Sequence, residues 1–123
     1  MKILVADDDP IIRKLLFEVL THDGHQVIVR ENGFEALKEA QKQPFDLVFL
    51  DVHMPIMNGL ETLISIRNQF PGMAVAMMDS YPDQLVRQAQ REGALTCIHK
   101  PFDLKEIREV VEEVRNLALK DSS

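Results

Sequence analysis

Acidic side chains follow two of the short apolar runs in this sequence. One run leads directly into Asp7 and Asp8, and another leads into Asp51. Clustered carboxylates repel one another and need a compensating cation, and hard oxygen ligands select Mg²⁺, with Mn²⁺ and Ca²⁺ as alternatives. A carboxylate can also act as a nucleophile. These residues therefore predict a metal-dependent phosphoryl-transfer site, on the condition that folding brings them together.

Lys100 adds a positive charge to this set. It follows a later apolar run and precedes Pro101. A metal ion and an ammonium group together would balance the charge that develops when a phosphoryl group passes to a carboxylate. An acidic pair after a strand is more often a turn or a helix cap, and a lone Lys-Pro pair is a weaker signal still. The joint placement of the acidic pair, Asp51 and Lys100 after three different runs favours the chemical interpretation.

Apolar runs alternate with amphipathic stretches at helical spacing along the chain. The predicted strands are residues 3–6, 27–29, 47–50, 74–78 and 95–98, and the predicted helices are residues 10–21, 33–41, 58–69, 82–92 and 103–119. Parallel strands need crossover connections of one hand, so the alternation predicts a single α/β domain with five strand–helix repeats. We expect a doubly wound parallel sheet with helices on both faces, because continuous apolar runs suit strands that are covered on both sides.

The order of the strands decides whether the acidic residues meet. In the flavodoxin-like order 2-1-3-4-5, the first and third strands are neighbours, and ligands bind at the carboxyl ends of the strands. Asp7, Asp8 and Asp51 would then share one pocket, and Lys100 would reach the same edge of the sheet.

Composition narrows the class of protein. The formal net charge of −6 argues against nucleic-acid binding, which needs a surplus of Lys and Arg. The sequence begins with neither a secretory signal nor a membrane span, and Cys97 is the single cysteine, so we expect a cytoplasmic protein without disulfides. The length of 123 residues fits one domain over residues 1–120 with a frayed tail at 121–123.

Three segments resemble the response-regulator receiver family of two-component and phosphorelay systems. They are Ile3–Pro10, Asp51–Gly59 and Lys100–Phe102, and the likeness covers residues 2 to about 117. A narrower resemblance, in Gly93–Thr96, Lys100–Asp103 and Glu106–Arg108, is to the single-domain receivers of Bacillus sporulation phosphorelays. The resemblance implies a receiver without an output domain and supports the flavodoxin-like fold.

The resemblance also implies a role for each site residue. Asp51 becomes the phosphoacceptor, Asp8 a direct Mg²⁺ ligand and Asp7 a ligand through water. The main-chain carbonyl of His53, two residues after the acceptor, becomes a further ligand. Lys100 becomes the contact to the phosphoryl oxygens, and its bond to Pro101 is expected to be cis.

The function that follows is a relay step. We expect the chain to accept a phosphoryl group from a sensor histidine kinase and to pass it to a downstream histidine phosphotransferase, as in sporulation-type phosphorelays. It would not be a free-standing enzyme, although it would catalyse its own aspartyl phosphorylation and dephosphorylation. We expect a monomer that binds neither nucleic acid nor membranes.

The end of the fourth strand departs from the family pattern. Receivers carry Thr or Ser there, but this chain has Asp79, which cannot donate a hydrogen bond when ionised. A negative charge about 4 Å from the phosphoryl group would cost on the order of 4 kcal/mol at an effective dielectric of 20. We hypothesise that Asp79 opposes or partly imitates phosphorylation, unless it points to solvent or pairs with Lys100. An alternative function follows, namely a phosphorylation-poor receiver that acts as a protein-binding module.

Ser80 and His53 are further candidates near the site. Ser80 could replace the missing hydroxyl donor, although Ser80–Asp83 also resembles a capping box that opens the fourth helix. The His53 ring could tune the lifetime of the phosphoryl group or could simply be solvated.

The partner surface is predicted from the first helix. Its apolar arc is wider than one core face needs, and the excess indicates either a docking surface or a wider buried face. In the look-alike receivers this helix and the loop after the fifth strand meet the histidine-bearing partner. The candidates are Ile12, Leu15, Pro101 and Phe102.

Overall fold

The structure is a computed structural model that describes residues 1–80 and 83–121. The strands are β1 (Lys2–Ala6), β2 (Gln26–Arg30), β3 (Leu47–Asp51), β4 (Ala74–Asp79) and β5 (Thr96–His99). The helices are α1 (Pro10–His22), α2 (Gly33–Lys42), α3 (Gly59–Gln69), α4 (Gln84–Arg91) and α5 (Leu104–Asp121). The predicted alternation is confirmed, and the ends of the elements differ from the prediction by at most two residues. Asp121 is helical, whereas Ser122 and Ser123 of the predicted tail lie outside the described residues.

All strand pairs are parallel, and the order is β2-β1-β3-β4-β5, as predicted. The register pairs Ala6 of β1 with Leu50 of β3. The next residues along the two neighbouring strands are Asp7 and Asp51. The pairing of β1 with β3 thus brings these two carboxylates to the same edge of the sheet.

Each face of the sheet is covered by helices. One apolar cluster packs residues of α2, α3 and α4 against the sheet, and the other packs residues of α1 and α5 against the opposite face. Successive strand residues alternate between the two faces. Asp51 therefore lies on the side of Phe49, which belongs to the α1/α5 cluster, and Asp79 lies on the side of Met77, which belongs to the α2/α3/α4 cluster.

Side-chain caps fix two helices at the carboxyl edge of the sheet. The Asp9 carboxylate accepts a hydrogen bond from the Ile11 N–H at the start of α1. Asn58 and Glu61 form a capping box at the start of α3, in which each side chain accepts from the other residue's main-chain N–H. Such caps satisfy N–H groups that have no partner within the helix. Among residues 1–80 and 83–121, no helix is both long and apolar enough to cross a membrane.

Candidate functional site

Asp7, Asp8 and Asp51 form an acidic cluster at the carboxyl edge of the sheet. Each offers a carboxylate oxygen, and these oxygens lie within 4.8 Å of one another. Asp7 and Asp51 are buried, whereas Asp8 is exposed. In the described part of the chain, no other group of three acidic, His or Cys side chains comes this close. The sequence-predicted set is therefore brought together in a pocket that opens to solvent through Asp8.

Lys100 joins the cluster from the end of β5. Its Nζ donates a hydrogen bond to Asp7 Oδ2 at 2.8 Å and lies 3.4 Å from Asp51 Oδ1. The side chain is largely buried, and the Lys100–Pro101 bond is cis, as the family resemblance implied. The ammonium group thus links the two buried carboxylates, and its reach to the site is as predicted.

Hydrogen bonds on every side fix Asp7. Its Oδ1 accepts from the Asp9 N–H at 2.9 Å, and its main-chain N–H donates to the Arg30 carbonyl at 3.2 Å. The Arg13 guanidinium donates to the Asp7 carbonyl at 2.8 Å. Sequence analysis did not identify Arg13, although a basic residue one turn into α1, the helix that follows Asp7, was a visible signal.

The start of α3 packs directly on the main chain of Asp51. A Cβ atom on Gly59 would lie 2.2 Å from the Asp51 carbonyl oxygen, which is far inside van der Waals contact. The Gly59 N–H also donates to the Val52 carbonyl at 2.8 Å. Only glycine fits at this close approach, so Gly59 sets the position of the end of β3 relative to α3. The Asn58-Gly59 pair was available as a turn signal, but sequence analysis assigned it no such role.

The pKa of Asp51 reflects burial that nearby positive charge does not fully offset. Burial, followed by the negative charge of Asp7, raises the pKa of Asp51 to about 7, and the nearby Lys100 opposes this shift only in part. Burial also disfavours the charged form of Lys100, but its hydrogen bond to Asp7 and the charge of Asp51 outweigh that penalty and raise the pKa of Lys100. The cluster is therefore short of cationic charge.

The donor set suits a hard divalent cation. Three converging carboxylates supply oxygen ligands of the kind that Mg²⁺ binds, and one exposed member leaves an entry path. The raised pKa of Asp51 marks the same shortage of positive charge, because an added cation would favour its ionised form. The residues present fit the predicted metal.

Asp79 takes neither of the two positions considered in the sequence analysis. It neither points to solvent nor pairs with the Lys100 ammonium, because its side chain is fully buried and its Oδ1 accepts a hydrogen bond from His99 Nδ1 at 2.8 Å. The physical reason is the register of β4 with β5, which places Asp79 directly beside His99. The two side chains share the face of Met77, away from the face of Asp51. Sequence analysis missed His99 entirely.

Ser80 does not cap the fourth helix as predicted. The cap is Asp83, whose Oδ1 accepts from the Val86 N–H, and α4 begins at Gln84. Ser80 is exposed at the end of β4, while Tyr81 and Pro82 of the predicted capping box lie outside the described residues. An ionised Asp is as good a cap as Ser and adds a favourable charge at the helix start, which accounts for the shift.

The His53 ring is paired. Its Nε2 lies 2.9 Å from Asp83 Oδ2, so the ring connects the loop after Asp51 to the cap of α4. The ring is thus partly exposed to solvent and also contacts Asp83. A role in the lifetime of a phosphoryl group stays a prediction.

The predicted partner surface divides into two parts. Leu15 and Pro101 are exposed, whereas Ile12 and Phe102 are half-buried and pack against the α1/α5 cluster. Ile11, which sequence analysis did not select, is 74% exposed. The wide apolar arc of α1 thus serves the core with one part and leaves another part open to solvent.

Comparison with known proteins agrees with this geometry. A family model described as a response regulator receiver domain matches residues 3–112. The chain is 38% identical over 113 residues to sporulation initiation phosphotransferase F of Bacillus subtilis (strain 168), and the match spans 91% of each protein. Other relatives are longer, and the chain spans only 44% of one and 24% of another.

Solved structures show the same architecture. A response regulator receiver domain protein from Clostridium thermocellum superposes with a TM-score of 0.89 at 28% identity, covering 95% of both chains. Chemotaxis protein CheY4 of Vibrio cholerae superposes with a TM-score of 0.84 at 30% identity, covering 92% of this chain and 97% of that one.

Proposed function

This chain belongs to the response regulator receiver domain family, and on that premise we propose that Asp51 accepts a phosphoryl group from a sensor histidine kinase. The observation that carries the proposal is the convergence of Asp7, Asp8, Asp51 and Lys100 from three strand ends. Buried like charges destabilise a folded protein, so a function explains this convergence better than folding does.

The proposed step is an in-line displacement at phosphorus. A carboxylate oxygen of Asp51 attacks the phosphoryl group of a phosphohistidine, a P–O bond forms, and the P–N bond breaks with its electron pair returning to the imidazole. Catalysis of this step is mainly positioning and charge stabilisation. The Lys100 ammonium, 3.4 Å from Asp51 Oδ1, is placed to contact the incoming phosphoryl oxygens.

Asp8, Asp51 and the main-chain carbonyl of His53 would hold Mg²⁺ directly, and Asp7 would hold it through water. When bound, the ion supplies the positive charge that offsets the phosphoryl oxygens. Asp7 also accepts a 2.8 Å hydrogen bond from Lys100, so it would orient the lysine in addition to holding the metal.

We further propose that the phosphoryl group moves on to a second histidine phosphotransferase. A relative that matches this chain in length is named a sporulation initiation phosphotransferase, which supports a sporulation-type relay in the cytoplasm. The exposed Leu15 and Pro101, joined by Ile11, form the accessible part of the surface that would meet these partners, with Ile12 and Phe102 supporting it from below.

The alternative, a phosphorylation-poor receiver that only binds partners, depended on a negative charge of Asp79 facing the acceptor. The hydrogen bond from His99 to Asp79 and the placement of Asp79 on the other face of the sheet favour phosphoryl transfer instead. Binding that survives loss of Asp51, without any labelling of the wild type, would support the alternative.

The test is phosphotransfer from a panel of purified, radiolabelled histidine kinases in the presence of Mg²⁺. We expect label on the wild type that hydroxylamine removes, because hydroxylamine cleaves acyl phosphates. Addition of a purified histidine phosphotransferase should then drain the label from the chain.

A matched pair of variants gives this test its control. Asp51→Asn should abolish labelling, whereas Asp46→Asn should leave it intact. Asp46 immediately precedes the opposite end of β3, where its carboxylate accepts from the Lys2 N–H, and it has no part in the acidic cluster. Equal labelling of the wild type and Asp51→Asn, or labelling that resists removal of Mg²⁺ by EDTA, would refute the assignment.

A further inference from the structure

The ends of β4 and β5 are joined by a hydrogen-bonded pair of side chains, Asp79 and His99, outside the acidic cluster. The Asp79 side chain is fully buried, and His99 Nδ1 donates to its Oδ1 at 2.8 Å. The other oxygen, Oδ2, is buried without a hydrogen-bond partner among the described residues. The His99 side chain is 62% exposed. A buried carboxylate thus depends on a single partner that is accessible from solvent.

The same two residues hold the main chain next to Lys100. The Lys100 N–H donates to the Asp79 carbonyl oxygen at 2.6 Å, and His99 directly precedes Lys100 in the sequence. The Lys100 side chain then crosses to Asp7 and Asp51 on the other face. Asp79 is therefore hydrogen-bonded both to Lys100 and to the residue that precedes it, His99.

The position of Asp79 makes its orientation consequential. It comes one residue after Met78, which is paired in register with Asp51 and whose carbonyl accepts from the Val52 N–H. Only the choice of face separates the Asp79 carboxylate from the acceptor pocket. On its present face, the negative charge is held by His99 and is kept from the Lys100 ammonium.

We propose that His99 is a positioning residue that keeps the Asp79 carboxylate on the face of the sheet covered by the α2/α3/α4 cluster, so that Lys100 and Asp51 stay available for phosphoryl transfer. This inference rests on the proposed acceptance of a phosphoryl group by Asp51.

The physical reason is the cost of an unpaired buried charge. Without His99, both Asp79 oxygens would lack partners, and removal of one partner of a buried pair is strongly unfavourable. The carboxylate would gain most by turning toward the ammonium of Lys100, a residue whose main-chain N–H already donates to the Asp79 carbonyl oxygen. That turn would draw Lys100 from Asp51 and place a negative charge beside the incoming phosphoryl group.

The test compares four proteins, namely the wild type, His99→Ala, Asp79→Ala and the double variant, by initial rate of labelling with acetyl phosphate and Mg²⁺. We expect His99→Ala to slow labelling by between about tenfold and about a thousandfold, the upper figure being the effect of a full charge about 4 Å from the phosphoryl group at an effective dielectric of 20. The double variant should label at the rate of Asp79→Ala alone, because no carboxylate remains to be misplaced. His99→Asn, whose amide can donate from nearly the position of Nδ1, should restore most of the wild-type rate.

A second measurement does not depend on phosphorylation. The freed carboxylate makes the pocket more negative, so His99→Ala should bind Mg²⁺ more tightly than the wild type in calorimetric titration. Asp79→Ala and the double variant should bind Mg²⁺ equally. A partly destabilised variant can still be compared, because thermal denaturation gives its folded fraction and the Mg²⁺ titration can be corrected for it.

Each outcome either supports or overturns the positioning role of His99. Unchanged labelling and Mg²⁺ affinity in His99→Ala would overturn the proposal, and so would a double variant as slow as His99→Ala, because the defect would then be structural. A wild type that takes no label while Mg²⁺ affinity still responds to His99 through Asp79 would refute the proposed function but support the positioning role.

Discussion

Replacement of the Asp51 carboxylate should stabilise the protein. In the absence of divalent cations, Asp51→Asn removes a buried negative charge that faces Asp7 and is only partly balanced by Lys100. We expect the free energy of unfolding to rise by about 2 to 3 kcal/mol at pH 8. A gain in stability on loss of the Asp51 carboxylate is expected if its negative charge is balanced only when a cation is bound.

The magnitude follows from the shifted pKa. The pKa of Asp51 rises from 3.8 to about 7 on folding, chiefly through burial. At about 1.4 kcal/mol for each pKa unit, ionised Asp51 opposes folding by about 4 kcal/mol. The buried Asn amide also needs hydrogen-bond partners, which costs about 1 to 2 kcal/mol and leaves the smaller net gain.

The sign of the pH dependence is fixed by the same shift. Between pH 3.8 and about 7, the folded state holds a proton on Asp51 that the unfolded state has released, so the stability of the wild type falls as pH rises through this window. Below the window Asp51 is neutral in both states, so only the cost of the buried Asn amide remains and Asp51→Asn should be less stable than the wild type by about 1 to 2 kcal/mol. Above it, the difference should be constant.

Urea denaturation between pH 4 and pH 9, with EDTA present throughout, measures this difference. Saturating Mg²⁺ should then narrow it, because a ligand at 100 times its dissociation constant stabilises the folded wild type by about 2.7 kcal/mol. Asp46→Asn serves as control and should change stability by less than about 0.5 kcal/mol at every pH. A wild type more stable than Asp51→Asn at pH 8 without divalent cations would refute the electrostatic reasoning.

Three further predictions concern residues around the cluster. Lys100→Met should reduce acetyl-phosphate labelling at least about tenfold and raise the pKa of Asp51 further, seen as a shift of the labelling profile to higher pH. Gly59→Ala should lower the free energy of unfolding by about 1 to 3 kcal/mol in urea, because the new methyl group meets the Asp51 carbonyl. Ile56 has a φ of 71° and is 81% exposed, so Ile56→Asn should raise stability by about 0.5 to 1 kcal/mol, whereas Ile11→Asn, at an exposed helical position, should not.

The main features of the site could be predicted because they depend on strand order alone. Apolar runs that end in Asp7, Asp51 and Lys100 mark strand ends, and parallel strands present their carboxyl ends at one edge. Pairing of β1 with β3 then suffices to bring the two acidic residues together. No knowledge of side-chain contacts was required.

The environment of Asp79 could not be predicted, because it depends on register. The residue beside Asp79 is His99 only when β4 and β5 pair as they do, and a slip of one residue would turn each side chain to the other face. The cap of α4 was ambiguous for a different reason. Ser80 and Asp83 both suit a cap, and the added charge at the helix start favours Asp83.

The charge balance at the carboxyl edge connects these results. The three carboxylates of the acidic cluster face the single ammonium of Lys100, an excess of negative charge that a divalent cation would offset. A phosphoryl group on Asp51 would add still more negative charge, so another carboxylate facing the site would be unfavourable. Asp79 is nevertheless only one residue beyond the partner of Asp51 in β4. Under the proposed function, the pairing of Asp79 with His99 on the opposite face would therefore be what allows an acidic residue at that position while Asp51 accepts a phosphoryl group.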